Sequence, residues 1–386
     1  MHALPRTLFT PEHHAFRDQV QKFCQREIAP LHATWESAHA VPKSVWRKAG
    51  ENGLLGCWIP EADGGLGADL LCDIVVCEEL GRIGATGPGF PLHSVIVAPY
   101  IVHHGAPSLK QKVLPRMVQG EYVAAIAMTE PGTGSDLAAI QTKAERRGDG
   151  WVISGQKTFI TNGQNADVMV VACKTAPELG ARGVSLFVVT ADMPGFSRGK
   201  NLQKIGQHAQ DTAELFFDEV VVPADHLLGE ENQGFRYLMQ ELAQERLLVS
   251  VQCQARAEGA LDATLAYVKD RKAFGKRLAD FQNTRFKLAS VFAEVQAGRA
   301  YADSLIARHL DGHLDAVAAS AGKLWHSEML GRVVDECLQL FGGYGYMQEY
   351  PIAKAFVDAR VERIYAGTSE IMKEIIARSL CDEVAR

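Results

Sequence analysis

Ala127-Met128-Thr129-Glu130-Pro131-Gly132-Thr133-Gly134-Ser135-Asp136 is the stretch on which the reading of the fold turns. Its first residues close a run of strand formers, 123–128, and the rest is a turn punctuated by Gly and Pro. Glycines there let backbone amides approach a ligand closely, and the Thr129, Thr133 and Ser135 hydroxyls supply neutral donors and acceptors. By itself such a turn is either ordinary or a seat for a phosphate or a ring carbonyl. Its position says more, because the texture of the chain changes here.

Upstream, residues 1–121 read as helices. Pro11 follows Thr10, an N-cap, and Phe16, Val20 and Phe23 recur at helical spacing. Further helices are expected over 43–53, 70–82 and 108–119, broken by the loop Asp63-Gly64-Gly65-Leu66-Gly67. Between 122 and 230 the runs 123–128, 152–160, 168–172, 184–189 and 213–222 are β-branched or aromatic, with Gly, Pro and Asn between them. Short strands without long intervening helices predict an antiparallel β-barrel or sandwich. After 231 the chain is helical over 234–272, 280–311 and 313–341, then over 352–360 and 369–383 beyond a Gly-rich loop. Helices of that length pack as a four-helix bundle. The expected fold is therefore α+β and multidomain: an α-helical domain over 1–121, a β domain over 122–230 and a helical bundle over 231–386. This order lacks the alternation of a Rossmann protein.

Composition narrows the functional classes. Of 386 residues 47% are hydrophobic, enough for a large core without staples. A net charge of -6 excludes the basic footprint of a nucleic-acid binder, so an anionic ligand must be met by locally placed Arg and Lys. Eight scattered cysteines form no C-x-x-C and read as reduced, buried thiols. Met1-His2-Ala3-Leu4-Pro5-Arg6 lacks a secretory apolar region and transit-peptide composition, and no apolar run reaches membrane-spanning length. A soluble, cytoplasmic protein is expected. No G-x-G-x-x-G joins a strand to a helix, and Walker A, His-Glu-x-x-His and G-x-S-x-G motifs are absent. His309 and His313 flank a helix end at Asp311-Gly312, so no metal site is expected.

Four segments together carry a resemblance. Residues 127–136, then Arg271-Lys272-Ala273-Phe274-Gly275 with Phe281-Gln282, then Gln339-Leu340-Phe341-Gly342-Gly343-Tyr344-Gly345-Tyr346, then Ile364-Tyr365-Ala366-Gly367-Thr368-Ser369-Glu370 resemble, in order, the signatures of the acyl-CoA dehydrogenases. Gly87-Pro88-Gly89-Phe90, Gln210-Asp211-Thr212-Ala213-Glu214 and Gln244-Glu245-Arg246-Leu247-Leu248 are similar to the long-chain branch.

The resemblance implies bound FAD and an acyl-CoA substrate, medium-to-long or branched, in which a trans alpha,beta double bond is introduced. Met128, Thr129, Gly134 and Ser135 would line the flavin from one strand end, and Phe159, Ile160 and Thr161 from the other edge. The strand pattern alone makes Phe159 a core residue. Arg271, Phe274, Gln282, Gln339, Leu340, Gly342 and Gly343 would reach the cofactor of a partner subunit, where a planar Arg fork suits a diphosphate. Thr368, Ser369 and Glu370 would hold the adenosine side at a helix start. Ser135, Ala243, Arg246, Ala366 and Gly367 would contact substrate. Many members place a catalytic Glu directly before Gly-Thr in the last motif, where this chain has Ala366. Long-chain and isovaleryl-type members supply the carboxylate from the long helix, at the position of Glu245 here; Glu241 lies one turn earlier on the same face. Without the resemblance, Glu245 beside Arg246 reads as a surface pair. The implied mechanism polarises the thioester carbonyl with the Ala366 N–H and a flavin hydroxyl, while Glu245 removes the alpha proton and the beta hydrogen leaves as hydride. Electrons would pass to an electron-transferring flavoprotein, and the assembly would be a homotetramer. Alternatives are an acyl-CoA oxidase, an isovaleryl-type dehydrogenase and a non-catalytic flavin- or CoA-binding protein.

Overall fold

The structure, a computed structural model, describes residues 5–382. Its first layer is helical: α1 (Pro11–Phe23), α2 (His32–Ala38), α3 (Lys43–Glu51), α4 (Leu70–Arg82), α5 (Ala98–His104) and α6 (Pro107–Val118). Thr10 caps α1 in extended conformation, its N–H donating to His13 Nδ1 at 3.1 Å, and Val20 and Phe23 are buried. Asp69 caps α4 by accepting from the Leu71 N–H at 3.0 Å. Two helices lie outside the expected segments. The seven-residue α2 has no side-chain cap, and α5 follows an irregular turn over Leu92–Val97 and contains Pro99. Neither has a side-chain N-cap, although Pro99 stands in the first turn of α5.

The second layer is a seven-stranded sheet of β1 (Ala124–Ala127), β2 (Lys143–Arg147), β3 (Gly150–Thr161), β4 (Val168–Lys174), β5 (Val184–Thr190), β6 (Phe196–Asn201) and β7 (Thr212–Val222). Its order is β1-β4-β2-β3-β7-β6, with β5 also on β4. The expected antiparallel pairing holds for β2/β3, β3/β7, β4/β5 and β6/β7. It is interrupted where β1 runs parallel to β4, Ala124 opposite Val168, and where Lys143 meets Lys174. The charged β2 and the polar β6 lack the apolar alternation that marks a strand in sequence. In β3 the register against β7 shifts between Lys157 and Ile160, a bulge that matters below.

The third layer holds α7 (Gly234–Asp270), a short hairpin of β8 (Lys272–Ala273) and β9 (Lys276–Arg277), α8 (Gln282–Leu310), α9 (Ala316–Phe341), α10 (Pro351–Ala359) and α11 (Ser369–Asp382). Of the expected last helix, residue 383 lies outside the described residues. At 1.5 Å per residue α7 is about 55 Å long. It packs on α4, α8 and α9 together, so nearly every face of its middle is covered. Contact with α4 is close: a Cβ on Gly259 would stand 2.1 Å from the Arg82 carbonyl oxygen. All eight cysteines are free, and no described helix is long and apolar enough to cross a membrane.

Candidate active site

Where α4, the ends of β1 and β3, and α7 meet, a cavity encloses about 1040 Å³, its mouth included. Along α7 it is lined by Glu245, Leu248, Val249, Gln252 and Arg256, the spacing that puts side chains on one helical face. Met128, Thr129, Phe159, Ile160 and Thr161 reach it from the sheet, and Tyr365 and Ala366 from the loop before α11. Seven of the expected site residues therefore meet in one space.

Glu245 is 9% exposed and Arg246 6%, which overturns the surface pair read from sequence alone. The cause is the enclosure of α7 on several sides, invisible to a local pattern. The carboxylate of Glu245 makes no hydrogen bond among the described residues, and its Oε2 is buried without a partner. Burial pushes its pKa up to about 7 against the pull of Arg246 and Lys323. A carboxyl so placed can take a proton near neutral pH. Arg246 donates to Ser320 Oγ at 3.2 Å. Glu241 lies outside the cavity lining and bonds His103 Nδ1 at 2.8 Å.

Facing Glu245 is a loop in an unusual conformation. Ala366 and Gly367 are both left-handed, with φ of 53° and 90°. For alanine this costs about 1 kcal/mol, which the surroundings must offset. The Ala366 N–H has no acceptor among the described residues, so it is free to donate to a ligand carbonyl. Lys323 Nζ donates to the Gly367 carbonyl at 2.6 Å.

The opposite wall is built by the β3 bulge. It puts Phe159 at φ 59° and leaves the ring 68% exposed, so this residue is not core as the strand pattern implies. A bulge turns one side chain to the other face of a sheet. Just before it, Lys157 is fully buried and donates to the Met128 carbonyl at 3.0 Å and to Glu130 Oε1 at 2.8 Å. Burial lowers the Lys157 pKa, while Lys157 holds the Glu130 carboxyl below its usual range despite burial. Glu130 also accepts from the Gln141 and Thr142 N–H groups. The strand end at residues 128–130 is thus clamped from behind. In front, the Thr129 and Thr161 hydroxyls have no partner among the described residues. An exposed aromatic face, unpaired hydroxyls and open glycines at 132 and 134 fit a planar cofactor with polar edges.

Other expected residues lie outside this lining. Gly134 and Ser135 are exposed on the turn, and Ala243 and Gly367 are half-buried. Thr368 Oγ1 accepts from the Ile371 N–H at 3.3 Å, Ser369 donates to Glu328 at 2.9 Å, and Glu370 is exposed; these three open α11. Arg271, Phe274, Gln282, Gln339, Leu340, Gly342 and Gly343 fall at the far end of the bundle. Arg271 stands 26 residues beyond Glu245, about 39 Å along helical spacing. Its guanidinium lies 5.1 Å over the Tyr344 ring, and Phe274 is 95% exposed. Within one chain, then, the two groups of expected cofactor residues do not meet. Lys157, Arg256 and Lys323 went unmarked in the sequence. A lysine or arginine inside an amphipathic run reads as solvated, and nothing local marks these as buried.

Comparison with known proteins agrees with this architecture. Family profiles for the acyl-CoA dehydrogenase N-terminal, middle and C-terminal domains match residues 10–121, 125–220 and 232–381. A mitochondrial long-chain specific acyl-CoA dehydrogenase of Mus musculus is 50% identical over 380 residues, spanning 98% of this chain and 88% of its own. The crystal structure of an acyl-CoA dehydrogenase from Geobacillus kaustophilus superposes with a TM-score of 0.95 at 50% identity, covering 97% of this chain and 100% of that one. A glutaryl-CoA dehydrogenase from Mycobacterium smegmatis in complex with FADH2 superposes at 0.89 with 28% identity, covering 97% and 95%.

Proposed function

The chain belongs to the acyl-CoA dehydrogenase family of FAD-dependent enzymes, and on that premise we propose that Glu245 is its catalytic base and the Ala366 N–H its oxyanion donor. The observation that carries this reading is the shared cavity, lined by both a buried carboxylate and a backbone N–H that have no hydrogen-bond partner among the described residues. The N–H donates to the thioester carbonyl and stabilises the developing enolate. Glu245 takes the alpha proton. Bound FAD would supply the acceptor for the beta hydrogen, which leaves as hydride. Met128, Thr129, Phe159, Ile160 and Thr161 would hold its ring, with Gly134 and Ser135 on the adjoining turn. Thr368, Ser369 and Glu370 would meet its adenosine side. The distant set of Arg271, Phe274, Gln282, Gln339, Leu340, Gly342 and Gly343 would close over the cofactor of a second copy. Ser135, Ala243, Arg246 and Gly367 would contact the CoA thioester.

The finer assignments follow from the same features. Lining residues from Glu245 to Arg256 run about 16 Å along α7, which suits a medium-to-long acyl chain. Exposed Phe274, Tyr346 and Met347 at the distal end favour a homotetramer. Free thiols favour a reducing compartment, read as the cytoplasm; an electron-transferring flavoprotein as acceptor rests on the family resemblance alone. The limits 1–121, 122–230 and 231–386 are taken as the domains. Glu245→Gln tests the core of the proposal. It should keep its flavin absorbance and lose at least about two decades of turnover, the contribution of a general base. Turnover near that of the unmodified enzyme would remove Glu245 from the mechanism. Anaerobic bleaching by a panel of acyl-CoAs then sets the chain length, and peroxide release without the flavoprotein would replace the acceptor by oxygen.

A further inference from the structure

We propose that Lys323 is a positioning residue for this reaction: its ammonium ties down the Gly367 carbonyl, so aiming the Ala366 N–H, and places a fixed positive charge beside Glu245. The inference rests on the assignment of Glu245 and Ala366 above. Lys323 lies on α9, facing α7, and its side chain is fully buried. Its Nζ donates to the Gly367 carbonyl at 2.6 Å. That carbonyl belongs to the second of two successive left-handed residues. Ahead of it, the Tyr365 N–H is held by the Val361 carbonyl at 3.2 Å; behind it, the Thr368 carbonyl accepts from Met372 N–H at 2.9 Å. These bonds are local to the segment. The Lys323 contact joins the loop to a different helix and fixes where it sits relative to α7. Without that tie, the strained Ala366 would be free to relax and turn its N–H away.

The charge has its own role. Burying an ammonium is costly, and a neutral amide could donate to a carbonyl at a smaller desolvation cost. Lys323 faces Glu245, Arg246 and Cys253 on α7 and Glu362 on the Arg360–Arg363 turn. Burial and Arg246 act to lower its pKa; Cys253, Glu362 and Glu245 act to raise it. Glu245 in turn faces Arg246, Lys323 and, from α5, Tyr100. Arg246 exerts the larger pull on Glu245 and Lys323 the next, but only Lys323 also bonds the loop that carries Ala366. Lys323 therefore touches one catalytic group through the loop and the other through its field.

The test is the pH profile of kcat/KM for the FAD-loaded enzyme, whose acid limb reports the base. Lys323→Met removes both functions. Its acid limb should move up by about one pH unit, as for a carboxylate that loses a nearby opposite charge. Its kcat should fall roughly 10- to 100-fold, the loss for one charge-assisted hydrogen bond, with little change in KM. Lys323→Arg keeps the charge with a different reach, so its acid limb should stay in place while kcat falls. An unmoved acid limb in Lys323→Met overturns the proposal. If that variant does not retain flavin, Lys323→Arg decides, and a displaced limb there overturns it. Glu245→Gln keeps the two questions apart, since retained turnover in that variant indicts the base itself, not Lys323.

Discussion

Replacing Glu245 by Gln should stabilise the protein above neutral pH and leave it nearly unchanged in acid. The carboxyl is buried, has no hydrogen-bond partner among the described residues, and burial pushes its pKa up to about 7 from the ordinary 4.5. In the unfolded chain it ionises as pH rises through 4.5, while the folded protein holds the proton until about 7. Between those values folding is penalised progressively, and above the higher one the penalty is complete. At about 1.36 kcal/mol per pH unit, the gap amounts to about 3 kcal/mol. Glutamine resembles the protonated acid in shape and charge and does not titrate. Melting the FAD-loaded protein at about pH 5 and about pH 8.5 should therefore show the variant pulling ahead by a few degrees at the higher pH. The same substitution removes turnover, so stability and activity trade against each other at one atom pair. Equal melting gaps at both pH values would refute the reasoning, because they would mean the carboxyl is already ionised in the folded protein at its usual pH.

Two more outcomes are expected. In a Glu245→Gly background, Ala366→Glu should recover part of the lost turnover, measured with the same acyl-CoA, since both positions line one cavity. Lys157→Met should destabilise the protein by about 3–5 kcal/mol by leaving Glu130 buried without its cation; it should also lower the flavin retained per chain after gel filtration, because the Met128 carbonyl loses its clamp.

The long helices were the easiest part to read, because an apolar pattern sustained over α7, α8 and α9 exceeds anything a strand or loop could produce. The strands β3, β4, β5 and β7 were legible from β-branched runs. The polar β2 and β6 were not: β6 is an edge strand, which needs little apolar alternation, and in β2 only Ala144 is buried. At the site, Glu245 could be picked out only through the motif around it. Residue type and spacing favoured a surface pair, and burial on α7 is decided by α4, α8 and α9, far away in sequence. Phe159 fails for a related reason. Its run is a good strand, yet the register slip against β7 turns the ring out, and no local signal records a slip. Lys323 was silent because its partner is the backbone carbonyl at 367, which carries no side-chain signature; Lys157 was silent because Glu130, its ion-pair partner, stands 27 residues away.

On the proposed assignment the two catalytic duties sit on elements of opposite character, and this division explains why Ala366 is no defect. A proton acceptor must be held in one orientation in a dry pocket, and a side chain on the enclosed middle of α7 meets that demand by packing alone. An oxyanion donor needs only a peptide N–H turned outward, which a left-handed loop provides whatever side chain it bears. Placing both duties on the loop would hang a buried carboxylate from a strained, half-buried residue. With the carboxylate moved to the rod, residue 366 can be small, and the remaining task is to stop the loop from relaxing. The buried ammonium on α9 does this from behind. The catalytic geometry therefore depends on a helix that contributes no group to the reacting atoms.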